Sequence, residues 1–308
     1  MSVFDFPGRT SWVLLAITGA AAYAGLLALG IRIEPGRLAL TLALVAIFLA
    51  ASSFYLRIRP DRRLAVVTAA TAFMLAFAAT TGVLTYPAAA TGAATRDEMF
   101  VAFERLIGVD WRALVEAMTA SPVLNTGLTL AYLSSLPQIP LTILVLGFAG
   151  RDERLATYLS LLPATLMGTI LLFALAPAFG PIPSYGIDGE LYERLGPGGK
   201  DFLPDFLALR QGHFAGFDLG KMQGVVTFPS FHCVLAVLTA WALAPIRWIG
   251  ASAILLNGIV VVSTVPVGGH YIADIVAGLA IGIAGLAVAT KRPSRSAVTP
   301  PLVAPALQ

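Results

Sequence analysis

Residues 226–238, VTFPSFHCVLAVL, place a proline, a serine and a histidine at the mouth of an apolar run. An imidazole in that position asks what kind of chain surrounds it. Hydrophobic residues make up 57% of the 308 positions and charged residues 12%, where ordinary soluble domains carry about 25% charged. So little polar surface cannot wrap a soluble fold of this size, and the chain reads as membrane-embedded. Apolar runs of roughly 17–25 residues match one bilayer crossing, and candidates lie near 12–29, 38–56, 64–86, 124–149, 155–179, 231–246, 249–265 and 271–290. The run behind His232 is the sixth. It is short, and its border with the seventh at Pro245-Ile246-Arg247 is the least sharply marked. The expected fold is all-α, a polytopic bundle of about eight transmembrane helices.

The net charge of +3 is spread in a way that excludes a nucleic-acid face. Arg57, Arg59, Arg62 and Arg63 follow the second run, Arg151 and Arg154 the fourth, Arg247 the sixth, and Lys291, Arg292 and Arg295 the eighth. If eight spans alternate, all these loops share one side, and the positive-inside rule makes it cytoplasmic. Both termini are then expected inside, and the long loops 87–123 and 180–229, richer in acids than bases, outside. The first run is longer than the roughly 7–15-residue apolar core of a cleaved signal, so it reads as a retained span. Cys233 is the lone cysteine, so no intrachain disulfide can form.

The three spans of residues 1–86 hold almost nothing capable of acid, base or phosphate chemistry and read as a scaffold. In RDEMFVAFERLIGVDWRALVEAM, residues 96–118, Phe103, Ile107, Trp111, Leu114 and Met118 recur at three- and four-residue spacing between charges. That pattern predicts a helix along the membrane surface, divided at Gly108, with a structural role. Ser134, Ser135, Gln138, Thr165 and Thr169, with Pro137, Pro140 and Pro163, mark kinks and helix packing in the fourth and fifth spans. Asn257 reads the same way in the seventh. The Gly- and Pro-rich loop 180–199 suits a cover over a site, or an ordinary long loop.

The partner of His232 comes 38 residues later, in PVGGHYIADIVAG, residues 266–278. His270 and Asp274 are four apart, so on a helix they share a face. Two crossings separate the histidines and return both to one surface, each expected in the first turn of a helix. Pro229 suits such a first turn, and Gly268-Gly269 a sharp entry. Two helix N-termini would then direct free N–H groups at one spot, an anion site for which phosphate is the usual occupant. In this arrangement His270, oriented by Asp274, can attack phosphorus. His232 can protonate the leaving oxygen and then deprotonate the acceptor, and Ser230 can hydrogen-bond a phosphoryl oxygen. Asp274 lies one turn into an apolar span, at a cost of at least about 2.5–3.5 kcal/mol on insertion scales, which argues for a use. A capping and packing pair is the plainer alternative for His270 and Asp274. His213, without a spaced partner, reads as a solvated loop residue. A zinc site on Cys233, His270 and Asp274 is disfavoured, because Cys233 and His232 point about 100° apart on a helix. No metal or other cofactor is expected.

PSFH followed by GGHYIAD resembles the second and third signature motifs of the type-2 phosphatidic acid phosphatase superfamily. It is most similar to the branch containing fungal inositol phosphorylceramide synthase, in which Pro-Ser-x-His and His-Tyr-x-x-Asp are typical. The resemblance covers roughly residues 87–290 and implies a six-helix catalytic core acting on lipid headgroups through phosphohistidine. His232, His270 and Asp274 carry over, and Ser230 with them. The superfamily's first motif, a lysine six residues before an Arg-Pro pair, is absent: Arg59-Pro60 and Arg292-Pro293 both lie on the expected inner side. Its absence is usual in the transferase-like branch. Phosphate-binding cations are then expected in the outer loop, Arg210 first for its bidentate guanidinium, with Lys221, Lys200 and Arg194 as further candidates.

The expected organisation is a scaffold over 1–86, a catalytic domain over 87–290 and a disordered cytoplasmic tail over 291–308. The expected activity is transfer of a phosphoryl-containing group on membrane lipids at the extracytoplasmic, periplasmic face. The acceptor, water or a lipid hydroxyl, is left open. A proton or ion relay through His232, His270 and Asp274 is the competing reading. Against it, the three residues sit near one surface rather than at the midplane, and no repeated half is visible.

Overall fold

The computed structural model describes residues 3–214 and 216–291; the expected tail, with Arg292 and Arg295, lies outside the described residues. The chain is helical almost throughout. In order run α1 (Arg9–Ala28), α2 (Pro35–Arg57), α3 (Arg62–Phe77), α4 (Thr85–Ala89), α5 (Asp97–Leu106), α6 (Trp111–Thr119), α7 (Pro122–Leu133) and α8 (Gln138–Phe148). There follow α9 (Asp152–Leu175), α10 (Pro181–Ser184), α11 (Gly189–Arg194), α12 (Pro197–Arg210), α13 (Phe231–Leu243), α14 (Ile249–Ser263) and α15 (Ile272–Lys291). Among the described residues the strand content is one parallel pair, β1 (Arg32–Ile33) with β2 (Gly216–Phe217).

All eight apolar runs are helical, but they are not equal. Five helical stretches are long and apolar enough to cross a membrane: α1, α2, α3 continued through a π turn and α4 to Ala89, α9, and α15. The fourth run is broken. Leu133 and Gln138 bound a bend of 59° between α7 and α8, where Pro137 cannot donate a backbone hydrogen bond and the Ser134 and Ser135 hydroxyls turn back onto the carbonyls of Ala131 and Tyr132. α13 and α14 have 13 and 15 residues, so each rises only about 20 Å, less than the roughly 30 Å hydrocarbon core.

The short α13 is nonetheless the centre of the bundle, packed by α8, α9, α14 and α15. Its far end is tied off by Arg154 of α9. The Nε donates to the Ala242 carbonyl at 2.9 Å, a terminal nitrogen to that of Trp241, and the guanidinium lies 3.9 Å over the Trp241 ring. Carbonyls that lack intrahelical donors are thereby satisfied.

α1 and α3 lie against α9, and α3 also against α8, while α2 packs on α3 at the outside of the bundle. Asp61 caps α3 through the N–H groups of Arg63 and Leu64, which sets the tight turn that folds α2 back on α3. Ser11 donates to Ser160 across to α9 at 2.8 Å, and Trp12 meets Phe73 edge-on at 5.0 Å. The amphipathic stretch divides at Gly108 (φ 73°), as its spacing predicts. Its stripe, however, does not face one way. Trp111 is fully buried, whereas Phe103 and Ile107 are exposed and the acid Glu104 is buried in their place. α5 thus turns Phe100 and Glu104 inward and leaves Glu98 and Arg105 outside.

Candidate active site

α13 and α15 meet through small residues. A Cβ on Gly278 would collide with the Ser230 carbonyl, and one on Gly282 would come within 2.9 Å of Val237 Cβ. Only glycine at these positions lets the two backbones approach. The contact brings the N-terminal ends together, and the Ser230 N–H donates to the Asp274 carbonyl at 3.0 Å. His232 and Asp274, from separate helices, are thereby held at one end of the bundle.

His270 stands just ahead of α15, not in its first turn, because the helix begins at Ile272. The pairing with Asp274 survives that difference. Asp274 Oδ2 reaches back to the Tyr271 N–H at 2.9 Å, as an acid at the third helical position does in a capping box. The same oxygen lies 3.1 Å from His270 Nδ1. The cap and the imidazole contact are one arrangement, with His270 5% and Asp274 0% exposed. Asp274 Oδ1 is buried without a partner among the described residues.

The expected anion site of two helix ends is half built. At α15 the Tyr271 N–H is taken by Asp274 and the Ile272 N–H by Glu104 Oε1 at 2.9 Å; carboxylates of the chain itself fill that terminus. At α13, Pro229 lies ahead of the cap residue rather than in the first turn, and Ser230 occupies the cap position without making a side-chain cap bond. Its hydroxyl is buried, and no partner within hydrogen-bond geometry is found for it among the described residues. This end, capped by no side chain, is the one that can receive an anion.

Tyr132, at the end of α7, is a site residue that the sequence pattern does not reveal. Its ring stacks on His232 at 4.2 Å and 24°. Gly268 brings the other histidine to the same ring: a Cβ there would lie 2.9 Å from both Tyr132 Cε2 and His270 Cδ2. Tyr132 thus packs against His232 and lies at the Gly268 turn that carries His270. Only the break after Leu133 hints at such a role in sequence, since a tyrosine in an apolar helix is ordinarily core. Cys233 Sγ points to Thr264 Oγ1 at 3.9 Å, and among the described residues no group of three His, Cys, Asp or Glu side chains is placed to hold a metal.

The loop 180–199 lies directly on the His270 turn. Gly196 and Gly199 donate N–H groups to the carbonyls of Pro266 and Val267, and a Cβ on Gly199 would come within 2.8 Å of Gly269 Cα. Lys200 and Arg194 flank this contact. Lys200 Nζ donates to the Tyr192 carbonyl at 3.3 Å, and Arg194 Nε is buried without a partner among the described residues. Arg210 is engaged elsewhere: it donates to the carbonyls of Thr91 and Ala93 at 3.1 and 2.7 Å and lies over Phe179 and Phe206. Lys221 ends the short 3-10 turn Leu219–Lys221, beside α2. No described contact joins Arg210 or Lys221 to either histidine. His213 is exposed in its loop.

A helical membrane bundle that converges two histidines and an aspartate on one buried end has the make-up of an integral-membrane phosphoryl-transfer protein. A model of the PAP2 superfamily matches residues 98–288, well over half of the chain, and the protein belongs to that superfamily, whose members are phosphoryl-group hydrolases or transferases. No curated protein and no solved structure matches the chain.

Proposed function

We propose that the protein is a lipid phosphotransferase or phosphatase that works through a phosphohistidine on His270, in the manner of inositol phosphorylceramide synthase. The observation that carries this reading is the contact of His270 Nδ1 with Asp274 Oδ2 at 3.1 Å, which leaves Nε2 as the free nucleophile. In the first step Nε2 attacks phosphorus, the N–P bond forms, and the bond to the leaving oxygen breaks as His232 gives that oxygen its proton. In the second step the neutral His232 takes a proton from water or a lipid hydroxyl, whose oxygen displaces Nε2 from phosphorus. Asp274 stabilises the charge on the imidazole while phosphorus is attached. Ser230, with its buried hydroxyl, and the uncapped end of α13 serve the phosphoryl oxygens. For positive charge we favour Lys200 and Arg194, which flank the cover on the His270 turn, over Arg210 and Lys221. The catalytic unit is assigned to residues 87–290 and the first 86 to scaffold. The basic loops support an assignment of both termini to the cytoplasm and of the site to the extracytoplasmic side.

The test uses the purified protein in lipid nanodiscs with headgroup-labelled phospholipids, with and without diacylglycerol or ceramide, beside His270→Ala. Turnover lost in the variant supports the histidine chemistry, and the product, a released phosphorylated headgroup (inorganic phosphate from phosphatidic acid) or a new phospholipid, separates hydrolase from transferase. Lack of turnover in both proteins across the panel sinks the reading in favour of the proton relay. Lys200→Ala and Arg210→Ala, assayed side by side, locate the cation.

A further inference from the structure

The spacing of residues 96–118 predicts a surface helix pair with a structural role, yet its polar residues bind three consecutive residues of the His270 turn. Trp111 Nε1 donates to the His270 carbonyl at 3.0 Å. The Tyr271 hydroxyl lies 3.0 Å from Asp97 Oδ1 and 2.6 Å from Ser184 Oγ, which in turn donates to the Gly180 carbonyl. Glu104 Oε1 accepts the Ile272 N–H at 2.9 Å, while Oε2 takes the Tyr185 hydroxyl at 2.5 Å. Asp97 is itself anchored by the N–H groups of Phe179 and Gly180 at 3.1 and 3.0 Å, and Tyr185 stacks on Trp111 at 5.6 Å.

Glu104 is buried completely on the same face of α5 as Phe100, whose ring packs on Phe228 and Tyr271, while Leu106 and Met99 stay exposed, as apolar side chains of a helix on a membrane surface do. A carboxylate buried at that depth requires hydrogen-bond partners, and here they are the Tyr185 hydroxyl and the His270 turn. The two carboxylates and the indole meet the turn at successive residues, and a grip at each residue leaves the backbone that carries the imidazole little freedom to rotate.

We propose that Asp97 and Glu104 are positioning residues for His270, which by holding Tyr271 and Ile272 keep the imidazole with Nδ1 on Asp274 and Nε2 toward the reacting phosphorus. The inference rests on the phosphohistidine reading for its kinetic consequence but not for its geometric one. Neither acid touches the reacting atoms.

The test compares Glu104→Leu, which removes both acceptors, Glu104→Gln, which retains one, and Tyr271→Phe, which removes a single hydroxyl, in nanodiscs with the labelled phospholipids. kcat falls about 10- to 100-fold in Glu104→Leu and Tyr271→Phe with KM within about twofold, and Glu104→Gln recovers part of the loss. A second readout needs no substrate. The chain has three histidines, so 15N-histidine labelling resolves the His270 ring. Its resonances shift or broaden in both variants, while those of the exposed His213 stay in place. Folded variants with wild-type kcat and an unchanged His270 resonance overturn the proposal. If no protein turns over lipid, wild type included, the phosphohistidine reading fails, and the imidazole resonance still decides the positioning. Should Glu104→Leu not fold, Glu104→Gln decides the role of Glu104, and Tyr271→Phe, beside Ser184→Ala, decides that of Asp97.

Discussion

At the residue scale the site depends on one carboxylate oxygen with two partners. Asp274 Oδ2 caps the Tyr271 N–H and meets His270 Nδ1. Asp274→Asn can present an amide N–H to the ring, which favours the wrong tautomer, so turnover is expected to fall by about 10⁴-fold, the size of effect seen when a triad aspartate is so changed. Nanodisc turnover beside a thermal melt checks it, since the variant keeps its shape. His232 makes a different prediction. A general acid contributes roughly 10²–10⁴-fold, and its loss matters less when the leaving group needs no proton. His232→Ala is expected to be nearly inactive on a phospholipid and substantially restored on an aryl phosphate with an acidic leaving group; equal loss on both would remove the acid role. His232, His270 and Asp274 stand out in sequence because polar residues at helix starts in an apolar chain are few. Tyr132 does not, because stacking between distant helices leaves no local pattern.

At the scale of elements, the approach of α13 and α15 is set by the absence of side chains at Gly278 and Gly282. Gly278→Val is expected to push the Ser230 carbonyl away, cost about 1–3 kcal/mol by overpacking, and separate His232 from His270. A lowered melting temperature together with lost turnover checks this. Arg154→Ala acts at the opposite end of α13, where it exposes the carbonyls of Trp241 and Ala242. It is expected to lower stability by about 1–3 kcal/mol and leave kcat near wild type. Helix identity was legible in all eight runs, since hydrophobic length is a local property. The 59° break in the fourth run is marked in sequence by its serines and Pro137, but its angle is set by what α7 and α8 pack against.

For the whole molecule, the inward acid of α5 links the protein's surface to its buried end and to pH. Burial raises the pKa of Glu104 above its ordinary value, opposed by the hydrogen bonds from Tyr185 and Ile272. A carboxyl raised on folding binds its proton more tightly in the native state. Its contribution is therefore present below the unfolded pKa and fades as pH rises through the folded one. Melting temperatures of the wild type measured relative to Glu104→Gln are expected to decline as pH climbs above the ordinary carboxyl range; a flat difference would refute the assignment. The sequence by itself determined that the chain is a helical membrane protein and that His270 pairs with Asp274, because hydrophobic run length and four-residue spacing are properties of the chain taken in order. The tertiary structure alone decided that α5 faces inward with Glu104, that Tyr132 stacks on His232, that the α15 terminus is filled by the chain's own carboxylates, and that Arg210 is engaged with the carbonyls of Thr91 and Ala93. Each of these depends on which distant segments share a buried volume, and the balance of desolvation against hydrogen bonding there has no counterpart in local sequence.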